Sequence, residues 1–223
     1  MSDDQVLKAP APWLLDGVGY VLIYKFKRQI VDDYPLPFPR ELGKFRLGLG
    51  AVMLVDYQQS NAGPYHELLL MPGYFQFGKR VHPSITKIYV STRESIVNGR
   101  ANWGIPKEHA DFQVQRTSDG TERIQVSKEG HTFVDLTLKE RGFEIPITTA
   151  LAPGYFKKVQ QPYEGQHFLT QLGGKGRMKS ARLLEAKVDG DHFPRFDLGR
   201  LITAVKVTRF QLEFPVPRIW PWE

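Results

Sequence analysis

The stretch Asn98-Gly-Arg-Ala-Asn-Trp-Gly-Ile-Pro-Lys-Glu-His-Ala-Asp111 decides the reading of this chain. It sets one lysine, Lys107, directly behind a Gly-x-Pro turn and close to Trp103. Proline fixes φ at about −65° and holds the residue before it extended. Gly104 lets the backbone approach a neighbour closely. A lysine delivered this way has a defined direction, unlike one on a solvated helix. Held in an apolar pocket, a lysine can lose its proton and attack a carbonyl carbon to form a Schiff base.

Working outward, a short helix precedes the turn. Ser91-Thr-Arg-Glu94 fits a capping box with Ser91 as cap, and the helix is expected to run through Ile96 and Val97 and stop near Gly99. Elsewhere period-two alternation dominates. Tyr20, Leu22, Tyr24 and Phe26 share one face of a strand. Strands are predicted over 51–57, 67–71, 85–91, 111–117, 123–127, 132–139, 168–172, 179–187 and 203–214. Asp119-Gly120 and Glu129-Gly130 mark hairpin turns. Short helical turns are expected within 40–47 and 197–204. Gly173-Gly-Lys-Gly-Arg177 reads as a flexible hairpin turn. The segment 214–223, Phe-Pro-Val-Pro-Arg-Ile-Trp-Pro-Trp-Glu, reads as an extended strap packed on the body or on another subunit.

The 223 residues suit one domain, 1–223, and no stretch has the composition of a linker. The absence of cysteine excludes disulfides, thiolate nucleophiles and cysteine metal sites. The net charge of +6 is spread among interleaved acids, so it reads as a solvated surface rather than a nucleic-acid footprint. The acidic start lacks an apolar signal core, and no apolar run spans a bilayer, so a cytoplasmic protein without membrane contact is expected. The six histidines lack H-x-x-x-H and H-E-x-x-H spacing, so no metal site is predicted. No dinucleotide fingerprint, phosphate loop or G-x-S-x-G elbow is present.

Three segments carry a resemblance. Pro64-Tyr-His-Glu67, Ile88-Tyr-Val90 and Gly99-Arg-x-x-Trp-Gly-x-Pro-Lys107 resemble the acetoacetate decarboxylase-like superfamily in order and spacing, over roughly residues 60 to 112. The resemblance implies a mainly β fold, α+β by strict count: an antiparallel β-barrel or cone with a few short helices, in a homo-oligomer. It also implies that Lys107 is the Schiff-base lysine and Glu67 the acidic catalytic residue beside it. Tyr65, Trp103, Arg100 and His109 are the candidate substrate contacts, with Arg100 alternatively holding carbonyls of the turn. The chain departs from the family pattern elsewhere. Pro106 and Glu108 flank the lysine where a second lysine adjoins it in the decarboxylase, Val18 and Val52 stand near the expected arginine and second carboxylate, and Ala101 follows Gly-Arg.

The implied activity is lyase chemistry on a small keto acid or related carbonyl compound, either decarboxylation or aldol or dehydratase chemistry, without metal or organic cofactor. The alternative is a binding barrel that has lost its catalytic shell. A free lysine with pKa about 10.4 is neutral in only about one molecule in a thousand near pH 7.4. Bringing it to about 7 takes roughly 4–5 kcal/mol. Full burial can shift a pKa by about 3–5 units, whereas a close carboxylate acts the other way. Desolvation is therefore the expected dominant influence on Lys107, with Glu108 pointing to the opposite face of an extended segment.

Overall fold

The structure is a computed structural model that describes residues 6–151 and 157–222. The acidic start 1–5 and Glu223, the last residue of the predicted strap, lie outside the described residues.

Strands dominate, as the alternation demands. In order they are β1 (Trp13–Lys25), β2 (Lys44–Leu47), β3 (Leu49–Gln59), β4 (Tyr65–Met71), β5 (Tyr74–Phe77), β6 (Arg80–Pro83), β7 (Lys87–Val90), β8 (Glu108–His109), β9 (Asp111–Arg116), β10 (Thr121–Lys128), β11 (His131–Thr148), β12 (Lys158–Tyr163), β13 (Gln166–Gln171), β14 (Gly173–Val188), β15 (Arg200–Phe214) and β16 (Arg218–Pro221). Two α-helices interrupt them, α1 (Gln29–Asp32) and α2 (Arg93–Trp103). Ten strands form one nearly closed, barrel-like sheet in the order β8-β7-β4-β3-β1-β15-β14-β11-β10-β9. Its pairings are antiparallel except for β7 with β8. Two three-stranded sheets, β12-β13-β16 and β2-β5-β6, accompany it.

Both faces of the central strands are buried, and this places the site. Tyr20, Leu22 and Tyr24 of β1, Val52 and Leu54 of β3, and Leu68 and Leu70 of β4 enter one hydrophobic core. The alternate residues of the same strands, including Tyr57, Tyr65 and Leu69, enter a second core with Trp13, Trp103 and Ile105. Period-two geometry sends Glu67 to this second core rather than to water.

The structure corrects several sequence expectations. The helix before the turn is capped by Thr92, whose side chain accepts from the Ser95 amide, and it continues to Trp103. Ser91 instead accepts from the His66 amide through its hydroxyl at 2.9 Å, joining α2's entry to β4. Of the turn expected within 40–47, residues 40–42 form one, the Leu42 amide donating to the Pro39 carbonyl at 3.1 Å, while 44–47 form β2, where Phe45 packs on Phe75 as it pairs with β5. The second expected turn shrinks to the 3₁₀ segment Phe196–Leu198, and β15 begins at Arg200. The glycines of 173–177 lie inside β14, where a Cβ at Gly176 would stand 2.5 Å from the Arg209 carbonyl. Close strand approach, not turning, explains glycine at that position. Both predicted hairpin turns form, with Gly120 at φ 78° and Gly130 at φ 81°.

The C-terminal segment packs on its own chain. β16 pairs with β13, Trp220 lies 5.3 Å from the His167 ring, and Trp222 donates its indole N–H to the Gln166 carbonyl at 2.9 Å.

Candidate active site

Helix α2 builds one wall of the site. Ser95, Gly99 and Trp103 recur every four residues and therefore share one face. Trp103 is buried, meets Trp13 edge-on at 5.0 Å and donates its indole N–H to the Pro215 carbonyl at 2.8 Å. Gly104 ends the helix in the left-handed region at φ 63°, with its amide bonded to the Arg100 and Gly99 carbonyls. The chain then reverses through Ile105 and Pro106, and the Lys107 amide donates to the Ile105 carbonyl at 2.8 Å. A Cβ at Gly104 would meet the Phe168 ring at 2.5 Å, so both its conformation and its bareness are used.

Lys107 turns inward from this corner and is only 4% exposed. Its aliphatic stem runs past Gly99, where a Cβ would lie 2.8 Å from Lys107 Cδ and 2.9 Å from Cε. The ammonium donates to Glu67 Oε2 at 3.0 Å, Ser95 Oγ at 2.9 Å and the Tyr65 hydroxyl at 3.4 Å. It also stands 4.8 Å from the centre of the Tyr65 ring. An ammonium has three protons, and each of these has an acceptor. Glu67, itself 4% exposed, accepts from the Tyr57 hydroxyl on its other oxygen at 3.1 Å.

These side chains open onto a cavity of about 100 Å³. Glu67, Lys107, Tyr57, Tyr65 and Thr170 are among its polar lining. Trp13, Met53, Leu69, Ile88, Trp103 and Phe214 are among its apolar walls. Gln161 also borders it, but its amide is engaged by Ser84 and by the Ile85 backbone. A cavity of about 150 Å³ accommodates benzene, so this one suits a molecule of only a few heavy atoms.

The electrostatics correct the expectation of a neutral lysine. Burial is the largest single influence on Lys107 and pulls its pKa down. Glu67 and Tyr65 together pull harder the other way, and the net value lies above that of an ordinary lysine. The resting site is thus a Lys107–Glu67 ion pair. Burial raises both tyrosines: Tyr65 to about 12, and Tyr57 well above the usual phenol range with help from Glu67. Both remain neutral hydroxyls at physiological pH.

The structure brings Lys107, Glu67, Tyr65 and Trp103 together at one cavity and leaves Arg100 and His109 outside it. Arg100 donates from Nε and Nη2 to the Lys107 carbonyl, at 3.0 and 2.6 Å. It braces the backbone that aims the lysine. His109 is exposed and borders an open groove on the outer side of α2. Glu108 faces away from the cavity, as expected, and pairs with Lys87 at 2.5 Å. Sequence reasoning missed Ser95 and Tyr57. The four-residue spacing of Ser95, Gly99 and Trp103 was the available signal for the first, and Tyr57 had none, because its pairing partner Tyr65 lies on another strand.

The acetoacetate decarboxylase family model matches residues 10–183. The chain belongs to this family. Solved structures agree on its architecture. An acetoacetate decarboxylase-like enzyme from Sphingomonas wittichii RW1 superposes with a TM-score of 0.70 at 11% identity, covering 100% of this chain and 98% of that one. Acetoacetate decarboxylase from Legionella pneumophila superposes with a TM-score of 0.67 at 13% identity, covering 99% and 92%. The enduracididine biosynthesis enzyme MppR complexed with pyruvate gives a TM-score of 0.61 at 12% identity, covering 97% and 93%. At such identities the likeness speaks for the fold alone. Among curated proteins no sequence match is found. Among the described residues, no helix of this acetoacetate decarboxylase family member is long and apolar enough to cross a membrane.

Proposed function

We propose that this family member is a lyase that captures a small keto acid as a Schiff base on Lys107. The observation that carries the reading is the 3.0 Å contact between Lys107 Nζ and Glu67 Oε2 inside a small apolar cavity. A buried ion pair stores the two partners of a proton transfer in contact. When a keto acid displaces the local solvent, Glu67 takes a proton from Nζ and the free amine adds to the carbonyl carbon. The carbinolamine loses water, leaving a protonated imine. For a β-keto acid, the bond to the carboxylate then breaks, its electrons move into the iminium, and CO₂ departs. Glu67, which returned its first proton to the departing hydroxyl and has taken up another from water, delivers that proton to the enamine carbon, and water hydrolyses the product imine to free ketone and amine. Tyr57 and Tyr65 hold Glu67 and the amine in register throughout. The same iminium would promote aldol cleavage or dehydration of another oxo-acid, and the absence of a second lysine beside Lys107 favours such a related reaction. We place the enzyme in the cytoplasm as a homo-oligomer.

A second reading has its own support. All three ammonium protons are satisfied and the pair holds the lysine charged, as expected of a barrel that binds small molecules without reacting.

Turnover separates the two. Wild-type protein is expected to release CO₂ from a short β-keto acid, or to cleave or dehydrate a related oxo-acid, and Lys107→Ala to lose this by at least about a thousandfold. Saturable binding that survives Lys107→Ala, with no turnover across the panel, would support the binding barrel instead.

A further inference from the structure

Away from the cavity, the start of β11 and the loop after β14 bring two histidines to one carboxylate oxygen. His131 Nε2 lies 2.7 Å from Asp189 Oδ2, and His192 Nδ1 lies 3.0 Å from the same atom. The three potential ligand atoms all fall within 4.8 Å of one another.

Each member is held by a further set of contacts. The other Asp189 oxygen accepts from the Asp191 amide at 2.7 Å, and the Asp189 amide donates to the Phe133 carbonyl at 2.8 Å. The His192 ring stacks on Phe133 at 5.6 Å and 17°. Its backbone carbonyl accepts from the Tyr34 hydroxyl at 2.8 Å and the Tyr89 hydroxyl at 3.1 Å. Such outer contacts orient ligands before a metal arrives. The side chains are 57%, 25% and 37% exposed for His131, Asp189 and His192, so an ion reaches them directly from solvent.

We propose that His131, Asp189 and His192 form a binding site for one zinc-class divalent cation, clasping the β14–β15 connection to the β10–β11 hairpin. Two imidazole nitrogens and one carboxylate oxygen form a borderline donor set, suited to Zn²⁺, Ni²⁺ or Co²⁺ and poor for Ca²⁺ or Mg²⁺. Ligand atoms in a tetrahedral zinc site stand about 3.3 Å apart, given bonds of about 2.0–2.1 Å. The two separations of 2.7 and 3.0 Å need only small rotations to reach that spacing. Three protein ligands leave a position for water. The cation takes the place of the two ring contacts to Asp189, each histidine binding through that nitrogen as the neutral imidazole with its proton on the other.

The placement gives the clasp a purpose. The loop it would secure carries Phe193 and Phe196, both fully buried in the barrel core. No local sequence spacing announces the site, because His131 and Asp189 lie 58 positions apart. The site shares no residue with the Lys107 cavity, so it stands independently of the proposed lyase chemistry.

The test uses the full chain stripped with a chelator and titrated with ZnCl₂ by calorimetry, with metal content read after dialysis. One Zn²⁺ per chain is expected, with affinity in the micromolar range or tighter. His131→Ala and His192→Ala should each weaken it by about 10–100-fold, with unchanged circular dichroism, whereas His66→Ala and His109→Ala should leave it intact. Zinc should raise the melting temperature of wild type and not of His131→Ala/His192→Ala. Binding that persists in that double variant, or the lack of a stoichiometric site in wild type, would overturn the proposal.

Discussion

Gly99 and Lys107 are fitted to each other: the helix lacks a side chain at the point where the lysine stem passes, with 2.8 Å left between a built Cβ and Lys107 Cδ. A helix interior ordinarily disfavours glycine by about 1 kcal/mol relative to alanine. Gly99→Ala should therefore gain helix propensity while pushing the lysine off Glu67 and Ser95. We expect a stability change within about 1 kcal/mol by urea denaturation, with loss of most carbonyl capture by Lys107. Full retention of capture would show that the stem has room to spare.

The ion pair itself can be split. Glu67→Gln removes the stronger of the two groups that raise the Lys107 pKa and leaves burial, which lowers it, as the main influence beside Tyr65. Breaking a buried pair costs about 3–5 kcal/mol when the remaining charge persists. The expected outcome is a chain destabilised at neutral pH that recovers as pH rises and Lys107 loses its proton. Its amine should also be reactive toward acylating reagents at lower pH than in wild type.

A second buried pair behaves with the opposite sign. Lys206 donates to Glu122 Oε1 at 2.7 Å, and Tyr20 and Arg116 donate to the same oxygen at 3.0 and 2.9 Å. Burial leads the influences on Lys206 and leaves its pKa below the ordinary lysine value, with Glu122 opposing. Lys107 is raised in the folded chain, so its contribution to stability is full below the ordinary lysine pKa of about 10.4 and fades as pH climbs through the folded value. Lys206 is depressed, so between its folded value and about 10.4 the unfolded chain binds more protons and stability rises with pH. Denaturation measured from pH 8 to 11 should lose the alkaline fall in Lys107→Met/Glu67→Gln and lose the opposing rise in Lys206→Met/Glu122→Gln. The same slope in both double variants would contradict this assignment.

The C-terminal segment is committed to its own chain through β16, Trp220 and Trp222. Deleting residues 216–223 uncovers the β13 edge and removes the Trp220 contact with His167. We expect a melting temperature lowered by several degrees, for a loss of about 1–3 kcal/mol, with the subunit number by light scattering unchanged. Dissociation into smaller species would instead place these tryptophans between subunits.

Much of the fold was legible because period-two alternation reports strands directly, as Tyr20-Leu22-Tyr24 and Leu68-Leu70 illustrate. The turn bearing Lys107 was legible through Gly104 and Pro106, whose backbone limits are intrinsic. Three kinds of feature were not. Glycines inside β14 looked like a turn, since the strand pressing on Gly176 is distant in sequence. The helix cap moved by one residue because Ser91 has a competing partner in His66. The sign of the Lys107 shift depends on how Glu67 and Tyr65 of β4 meet a lysine delivered by the turn after α2, which no local pattern encodes.

Covalent capture of a keto acid at the Lys107 nitrogen can be read directly. Wild-type protein is incubated with pyruvate, acetoacetate and related keto acids, reduced with borohydride and mapped by mass spectrometry after proteolysis. A single reduced adduct on the peptide containing Lys107, blocked in Lys107→Ala, is the expected result. An unmodified Lys107 with every keto acid, or labelling spread evenly over surface lysines, would contradict it.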